Sequence, residues 1–539
     1  MADPATAEQA LPAKGSRLDS HMARQPGAKS IALFLAAMAG GLCFIALHVA
    51  RDMKAVTVTS VWPYLLLGLA LLIALGFEFV NGFHDTANAV AAVIYTHSLE
   101  PINAVVLSGF CNLAGVLFSS GAVAFAIITL LPVDLILQVS SGSGYAMVFA
   151  LLIAAILWNL GTWWFGLPAS SSHTMVGSII GVGIANQMFN PHIDASGVDW
   201  EQAIKVLKAL LFSPLVGFFL AALLMLLSKA LFRYPHLYEA PKNKQPPPWP
   251  IRALMVITCM GVSLVHGSND GQKGMGLIML ILIGTVPTAY ALNHAVTAND
   301  IQQFIAASEQ AGHILDRYVS PNGTPGRDAR AEVTDYIRTQ KLKPETIPAL
   351  RDLVGDVEHK VEQYKAFKSI PPQEQTKVRN DMYVAGEALL LMEKKHNPAF
   401  TAQESKELKN YKSEKDKTIK FIPNWVKVAV ALALGLGTMV GWKRVVITVG
   451  ERIGKDHLTY AQGACAGLVT MGTIFAADTF GLPVSTTHIL SSGVAGTMAA
   501  NGSGLRMSTI RNIAAVWVFT LPSAALLSGL LYSLFRLIH

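Results

Sequence analysis

Charged side chains are scarce in this sequence: only 14% of the 539 residues are Asp, Glu, Lys or Arg, whereas 52% are hydrophobic. A soluble domain usually carries about 25% charged residues. Because only helices and closed barrels satisfy their backbone in lipid, the long apolar stretches exclude a soluble enzyme and predict an all-α integral membrane protein. The stretches that approach or exceed the roughly 20 residues needed to cross a bilayer include 62–80, 145–165, 206–232 and 513–538.

Paired cysteines and dense basic runs are also missing. The four cysteines lie within apolar segments and none has CxxC spacing, so the sequence predicts no disulfide, no cysteine metal site and no bound cofactor. The net charge of +7 is not gathered into a run interleaved with aromatics, which excludes nucleic acid as a partner. In a membrane protein, an excess of Lys and Arg marks cytoplasmic loops. The Pro-rich loop 233–250 is the clearest such loop.

The first 60 residues divide into a polar part and an apolar part. Residues 1–28 are polar and predicted to be disordered, and the apolar run 31–50 predicts an additional membrane helix within the segment 29–60. A signal peptide is the alternative. The polar stretch and the apolar run are both long for a signal peptide, which favours an uncleaved helix.

One long motif occurs twice in the sequence, and a shorter one also recurs. Residues 165–173 read FGLPASSSH and residues 480–488 read FGLPVSTTH. A weaker pair, Gly-Phe-His-Asp at 82–85 and Gly-Ser-Asn-Asp at 267–270, is spaced more closely. The difference in spacing predicts an insert of about 130 residues in the second copy, and the polar stretch 293–422 matches that expectation.

The chain is therefore predicted to be a duplicated helical transporter with broken helices, hydroxyl-rich re-entrant hairpins and about 10 to 13 membrane segments. The insert is predicted to be mostly helical and, like the Pro-rich loop, cytoplasmic. The predicted boundaries are 61–232 for the first membrane repeat, 233–250 for the basic loop, 251–292 and 423–539 for the two parts of the second repeat, and 293–422 for the insert.

Each FGLP motif is followed by a cluster of small hydroxyl side chains. Gly and Pro stop a helix, and the hydroxyls then fall in the first turn of a new one, where free N–H groups and the positive end of the dipole attract an anion. Two such helix starts favour a tetrahedral oxyanion. The predicted oxyanion-binding residues are Ser170, Ser171, Ser172, Ser485, Thr486 and Thr487. His173 and His488, which end the motifs, are interpreted as hydrogen-bonding a helix end, with a proton or metal site as the alternative.

The weaker repeat places one carboxylate in each half of the membrane region. An acidic side chain inside an apolar segment is a functional candidate by default. Two carboxylates repel a phosphate but hold the cations or protons that accompany it. Lys273 stands where the first copy has Asn88, so an ammonium replaces one coupling cation, pairs with Asp270 or attracts the anion. The predicted coupling residues are Glu78, Asp85, Thr86, Asn88, Asn269, Asp270 and Lys273, with Asp85 and Asp270 as the ligands of a transported or coupling metal ion.

Four segments carry a resemblance to a known family. NGFHDTANAVAAVIYT, WNLGTWWFGLPASSSHT, HGSNDGQKGMGL and GLPVSTTHILSS resemble the inorganic phosphate transporter (PiT) family, in its bacterial low-affinity branch, across 61–295 and 420–539. The resemblance implies inverted repeats, a phosphate site between the two hairpins, cation sites at the paired aspartates, symport and a homodimer. In the bacterial branch it implies proton coupling, with phosphate often carried as a neutral complex with a divalent metal, whereas many other members use sodium.

The chain departs from the family's doubled pattern at one point. The first copy reads GFHDTANA and the second reads GSNDGQKG, so the downstream Asn is present only in the first. The departure argues against a symmetric pair of sodium sites. The sequence thus predicts a non-enzymatic phosphate:proton symporter of the bacterial inner membrane. A sodium-coupled phosphate or sulfate symporter of the same fold is the near alternative, and a membrane receptor acting through the insert is the distant one.

Overall fold

A computed structural model of the chain describes residues 27–53, 62–130, 142–189, 198–241, 246–320 and 328–538. These residues form helices and connecting turns, apart from an isolated bridge between Gly454 and Leu505. The all-α class is therefore confirmed. The polar stretch 1–26 and part of the Pro-rich loop lie outside the described residues.

The helices that build the membrane region are numbered here in chain order. The first half contains α1 (Ala28–Asp52), α2 (Trp62–Asp85), α3 (Ala87–Tyr95), α4 (Pro101–Phe118), α5 (Ala122–Ile128), α6 (Gly142–Trp164), α7 (Ser171–Phe189) and α8 (Trp200–Leu231). The long helix α9 (Trp249–Thr285) and the short α10 (Pro287–Tyr290) follow. After them come the helices of the polar segment: α11 (Ala298–Asp316), α12 (Ala329–Thr339), α13 (Thr346–Tyr364), α14 (Pro372–Lys395) and α15 (Ala402–Ile419). The last part contains α16 (Asn424–Thr438), α17 (Lys443–Ile447), α18 (Tyr460–Thr479), α19 (Thr486–Asn501) and α20 (Met507–Ile538).

Seven helical segments within the described residues are long and apolar enough to cross a membrane, or eight if the bent pair α15 and α16 forms one span. This is fewer than the 10 to 13 segments expected from the sequence. Three shorter or more polar helices account for the difference. Helix α19 has only 16 residues, and α7 and α18 are rich in Gly, Ser, Thr and Ala, which lowers their hydropathy.

The insert and the Pro-rich loop lie on opposite faces of the membrane region. Helix α9 runs unbroken for 37 residues between them, about 55 Å at the usual rise, and the hydrocarbon core is only about 30 Å thick. Helix α8 connects the same two ends. Glu201 in its first turn pairs with Lys394 of the insert, and Lys229 in its last turn bonds the carbonyl of Asn501 at 3.1 Å, on the side of the Pro-rich loop. The prediction that both segments are cytoplasmic requires two crossings between them, whereas α9 is a single helix of 37 residues.

The basic stretch 443–455 ends on the face of the Pro-rich loop. Helices α16 and α17 and the π-helical turn Thr448–Arg452 follow one another along the chain, with a break at Gly441, whose φ is +68°. The Lys455 amide bonds the Gly504 carbonyl at 3.1 Å, and Asn501 in turn bonds the Tyr238 carbonyl of the Pro-rich loop. The positive charge at 443–455 and in the loop thus belongs to the same side.

The two halves pack reciprocally. Hairpin helix α7 of the first half lies against α20 of the second, and α19 of the second half lies against α8 of the first. The helix backbones approach each other closely at both contacts. A Cβ on Gly181 would overlap the Ala525 carbonyl, and one on Gly496 would overlap the Phe218 carbonyl. This exchange fixes the two hairpins relative to each other, because each is held by the other half's long helix.

The segment 293–422 folds against one end of the membrane helices. The Asn293 amide bonds the Thr418 carbonyl at 2.8 Å, which brings the beginning and end of the segment together. Helix α1 reaches the same region, since the Tyr290 hydroxyl bonds Asp52 at its end and His48 stacks on Trp425. The additional helix thus packs beside α16.

Candidate functional site

The two FGLP motifs form matched helix reversals. Gly166 and Gly481 both adopt a left-handed backbone, with φ of +65° and +63°, which favours glycine. Hydroxyls then cap the new helices, because Ser170 Oγ accepts the His173 amide at 3.1 Å and Ser485 Oγ accepts the His488 amide at 3.2 Å. The hydroxyl clusters therefore lie at helix starts, as the sequence indicated.

The two helix starts meet in the interior. Ser172 Oγ donates to the Val484 carbonyl of the other hairpin at 2.7 Å. The rings of His173 and His488 lie 4.5 Å apart between centroids, and His488 also stacks on Trp517 at 4.0 Å. The two histidines thus join the hairpin tips, which fits the interpretation that they fix the hairpins.

Asp85 is where the two hydroxyl clusters converge. The end of α2 brings this carboxylate between the hairpins, where only 3% of its surface is exposed. Thr487 Oγ1 donates to Asp85 Oδ1 at 2.5 Å, and Ser171 Oγ donates to Asp85 Oδ2 at 3.3 Å. Asn88 Nδ2 bonds Thr487 Oγ1 at 3.0 Å and Thr486 Oγ1 at 3.4 Å, which ties the second cluster to α3. One carboxylate therefore receives a hydroxyl from each half.

Asp270 has a different partner. Lys273, which is fully buried, places its Nζ 2.6 Å from Asp270 Oδ1 and 2.6 Å from Ser172 Oγ. The ammonium thus pairs with the carboxylate of its own helix and also contacts the first hydroxyl cluster. Two of the three roles predicted for Lys273 fit this geometry. One is the ion pair with Asp270, and the other is a position beside the hydroxyl cluster that was predicted to bind the anion.

His266 is a site residue that the sequence reasoning did not assign. Its Nε2 lies 3.7 Å from Asp85 Oδ2 and 3.7 Å from Asp270 Oδ2. Its Nδ1 lies 2.9 Å from Asn112 Oδ1 on α4, and Asn112 Nδ2 bonds Thr438 Oγ1 at 2.9 Å. The sequence contained a sign of this role, because His266 begins the HGSND motif and precedes Asp270 by four residues. Residues four apart lie one turn apart on the same face of a helix.

Glu78 lies beside this group rather than in it. It is fully buried on α2, and a Cβ on Gly274 would overlap its carboxylate. Neither carboxylate oxygen has a hydrogen-bond partner, and the side chain of Asn81, one turn later, has none either. The pair packs against α9 next to Lys273, so the structure brings Glu78 towards the second aspartate motif and not towards the first.

Two other predicted residues contribute mainly through backbone contacts. Thr86 Oγ1 donates to the Gly82 carbonyl at 2.6 Å and the Thr438 carbonyl at 3.0 Å. Asn269 Nδ2 bonds the Leu482 carbonyl of the second hairpin at 3.2 Å. Both side chains hold the neighbouring elements in place, and neither bonds the hydroxyl clusters.

Comparisons with known proteins agree on one family. The sequence model of the phosphate transporter family matches residues 81–528. The chain is 39% identical over 493 residues to the low-affinity inorganic phosphate transporter PitB of Escherichia coli (strain K12), covering 88% of this chain and 97% of that protein. It is 40% identical over 484 residues to PitA of the same strain, covering 87% and 96%.

More distant matches include a probable low-affinity inorganic phosphate transporter of Bacillus subtilis (strain 168), 27% identical over 471 residues and covering 87% of this chain and 97% of that protein. A solved structure described as the sodium-dependent phosphate transporter is similar with a TM-score of 0.49 at 18% identity. That similarity covers 88% of this chain and 100% of the solved chain.

Proposed function

The chain belongs to the phosphate transporter family, and on that premise we propose that it takes up inorganic phosphate with low affinity across a bacterial inner membrane by proton symport. The relatives' names supply the substrate and the low affinity, and they describe transporters rather than enzymes. The ion pair of Lys273 with Asp270 supports proton coupling, and the long apolar helices support a location in the membrane.

The observation that carries the proposal is the meeting of two hydroxyl-rich helix starts at one buried carboxylate. Ser171 and Thr487 come from different halves of the chain and both bond Asp85. Two helix N-termini supply amide donors and positive dipole ends, and the Lys273 ammonium lies against Ser172. This set of donors suits a tetrahedral oxyanion held between the halves.

Phosphate fits this site better than sulfate does. Near neutral pH phosphate still carries a proton and donates a hydrogen bond, whereas sulfate only accepts. A carboxylate is an acceptor, so Asp85 beside the hydroxyl clusters complements a protonated oxyanion and repels one that has no proton to offer. The contacts of Asp85 with Ser171 and Thr487 support this, because they bring the acceptor to both hydroxyl clusters.

Protons fit the second aspartate motif better than sodium does. Lys273 Nζ lies 2.6 Å from Asp270 Oδ1, so a covalently attached ammonium stands where a sodium ion would otherwise neutralise the carboxylate. Sodium needs several oxygen ligands, and a neighbouring ammonium repels it. Phosphate carried as a neutral complex with a divalent metal, and a homodimeric assembly, complete the proposal on the strength of the resemblance.

Uptake in proteoliposomes tests the proposal. Radiolabelled phosphate is expected to accumulate when an inward proton gradient is imposed, and an inward sodium gradient at equal pH is expected to add little. Sulfate in excess is expected to compete weakly. Failure to accumulate phosphate under either gradient would overturn the proposed substrate, and accumulation driven by sodium alone would overturn the coupling ion.

The receptor alternative receives no support from the insert. Among the described residues, the one group of three metal-type side chains is Asp85, His266 and Asp270, which lies in the membrane region. These three side chains lie beside the hydroxyl clusters and not in the insert.

A further inference from the structure

The insert contains a buried cation that has no acidic partner among the described residues. Arg379 lies on α14 and is only 5% exposed. Its Nη1 donates to Oδ1 of its own neighbour, Asn380, at 3.0 Å, and its Cζ lies over the Tyr383 ring, 5.3 Å from the ring centre. Its Nε has no hydrogen-bond partner in the described part of the chain. Because arginine is almost never buried unless it is paired, this side chain calls for an anion.

The two acidic residues closest to Arg379 along α14 are already engaged. Asp381 Oδ1 accepts from Arg330 Nε at 2.6 Å, and Glu374 Oε2 lies 3.4 Å from Lys360 Nζ. Burial lowers the pKa of the Arg379 guanidinium, as expected when no carboxylate stabilises its charge. An anion for this guanidinium therefore has to come from outside the described chain.

A second buried polar atom lies on the same face of α14. Gln375 precedes Arg379 by four residues and Tyr383 follows it by four, so the three side chains form a stripe along the helix. Gln375 Nε2 donates to the Ile370 carbonyl at 2.9 Å, whereas its Oε1, beside His294, makes no hydrogen bond. The stripe thus offers one donor at Arg379 and one acceptor at Gln375 to a ligand.

This stripe belongs to the helix that joins the insert to the membrane region. Helix α14 packs against α10, which directly follows α9, and Thr288 Oγ1 on α10 is also buried without a partner. Near its end, α14 reaches α8, where Lys394 pairs with Glu201. Lys368 adds a positive charge that acts on His294. An anion at the stripe would therefore bind in positive surroundings, on the helix that connects the insert to the ends of two membrane helices.

We infer that Gln375, Arg379 and Tyr383 form an accessory site for a phosphate group at the junction between the insert and the membrane helices. The planar guanidinium matches the oxygens of a phosphate, and the Tyr383 ring supports its face. The acceptor on Gln375 favours a ligand that also carries a hydrogen. Inorganic phosphate carries one near neutral pH, and a phosphatidylglycerol headgroup offers the same chemistry through its hydroxyls.

The accessory site would link phosphate to the fit of the insert. A bound phosphate group neutralises Arg379 and thereby stabilises α14 against α8 and α10. Its use as a sensor of the transported ion rests on the proposed phosphate transport, whereas the binding of the phosphate group does not.

Hydrogen exchange of the purified full-length chain in detergent tests the inference, with inorganic phosphate as the probe. The amides of α14 are expected to exchange roughly 10-fold more slowly when phosphate is about ten times its dissociation constant, because opening must release the ligand. Arg379→Gln is expected to abolish this protection. The matched control is Arg351→Gln, which removes an exposed guanidinium that pairs with Asp316 at 2.9 Å, and it is expected to respond as the unmodified chain does.

A second variant supplies the missing anion instead of removing the cation. Gln375→Glu places a carboxylate one turn before Arg379, where the two side chains can pair. In this variant α14 is expected to be protected without phosphate and to gain nothing when phosphate is added. Size-exclusion profiles identify variants that do not fold, so the inference stays testable if Arg379→Gln is one of them.

A lipid arm separates the two sources of the phosphate group. Nanodiscs of phosphatidylcholine are compared with nanodiscs that also contain phosphatidylglycerol, both without inorganic phosphate. Protection of α14 that phosphatidylglycerol adds and Arg379→Gln removes assigns the site to a lipid headgroup. Protection that persists in Arg379→Gln, or no protection of α14 in either arm, would overturn the inference. A chain that shows Arg379-dependent protection but never accumulates phosphate would overturn the transport function and leave this site intact.

Discussion

The two buried aspartates come from repeated motifs yet have different surroundings. Asp85 receives neutral hydroxyls from both hairpins, Ser171 at 3.3 Å and Thr487 at 2.5 Å. Asp270 has the ammonium of Lys273 at 2.6 Å. The lysine at position 273, where the first motif has Asn88, accounts for the ion pair, because it brings its own positive charge to the carboxylate. The two repeated motifs therefore hold their carboxylates differently, one by hydroxyls and one by an ammonium.

The two hydroxyl clusters are alike, whereas the two carboxylates have different partners. Both hydroxyl clusters keep the same helix start and the same capping serine, Ser170 and Ser485. The hydroxyl motifs differ only by Ala for Val and Ser for Thr, whereas the carboxylate motifs differ in charge. We therefore expect substitutions at Asp85 to act on whatever ion or proton is exchanged, and substitutions at Lys273 to change which ion is accepted.

The largest effect is expected from Asp85→Asn. The change removes the carboxylate at which the two hairpins meet, so proton-driven phosphate uptake is expected to fall roughly 100-fold or more. Asp270→Asn is also expected to abolish driven uptake, because it leaves the buried Lys273 ammonium without its partner. Uptake of labelled phosphate in proteoliposomes measures both, and normal accumulation in either variant contradicts the assignment of that aspartate.

A smaller and more informative effect is expected from Lys273→Asn, which gives the second motif the residue of the first. Proton-driven uptake is expected to fall about 10-fold, since the buried Asp270 loses its counter-ion, and a sodium gradient is expected to restore part of it. The matched variant is Asn88→Lys, which places an ammonium near Asp85 and is expected to abolish any response to sodium. If Lys273→Asn shows the same ion dependence as the unmodified chain, the lysine does not choose the coupling ion.

The smallest effect is expected from the hydroxyls that bond Asp85. Removing the shorter contact with Thr487→Val is expected to raise the apparent KM for phosphate roughly 10-fold, because a hydrogen bond to a charged group contributes about 1.5 to 3 kcal/mol. The longer contact removed by Ser171→Ala is expected to contribute less, about 2- to 4-fold. A larger effect of Ser171→Ala than of Thr487→Val would show that the first hairpin dominates anion binding.

Repetition made part of this structure predictable. The paired FGLP motifs indicated two helix reversals with hydroxyls in the first turn, and Gly166 and Gly481 have the expected backbone. The location of the insert followed from the unequal spacing of the motifs. These features are local, so the residues that determine them are adjacent in the sequence.

What could not be predicted depends on contacts between distant segments. His266 was overlooked because its role is defined by Asn112 and Thr438, which lie on two other helices. The single unbroken helix over 249–285 was not predicted, because charge counting gives no information on whether that segment crosses the membrane once or twice. The count of long apolar helices among the described residues is lower than the predicted number of segments, because α19 is short and α7 and α18 are rich in Gly, Ser, Thr and Ala.

The unbroken passage of α9 determines what the insert encounters. Lys/Arg-rich short loops face the cytoplasm, and Arg233 and Arg252 mark that face at the two ends of the Pro-rich connection. We therefore propose that the insert, at the opposite end of α9, faces the outside of the cell, where antibodies, proteases and external phosphate would reach it first. An impermeant maleimide added to intact cells is expected to label Lys343→Cys in the insert and to reach Tyr234→Cys only after the cells are opened.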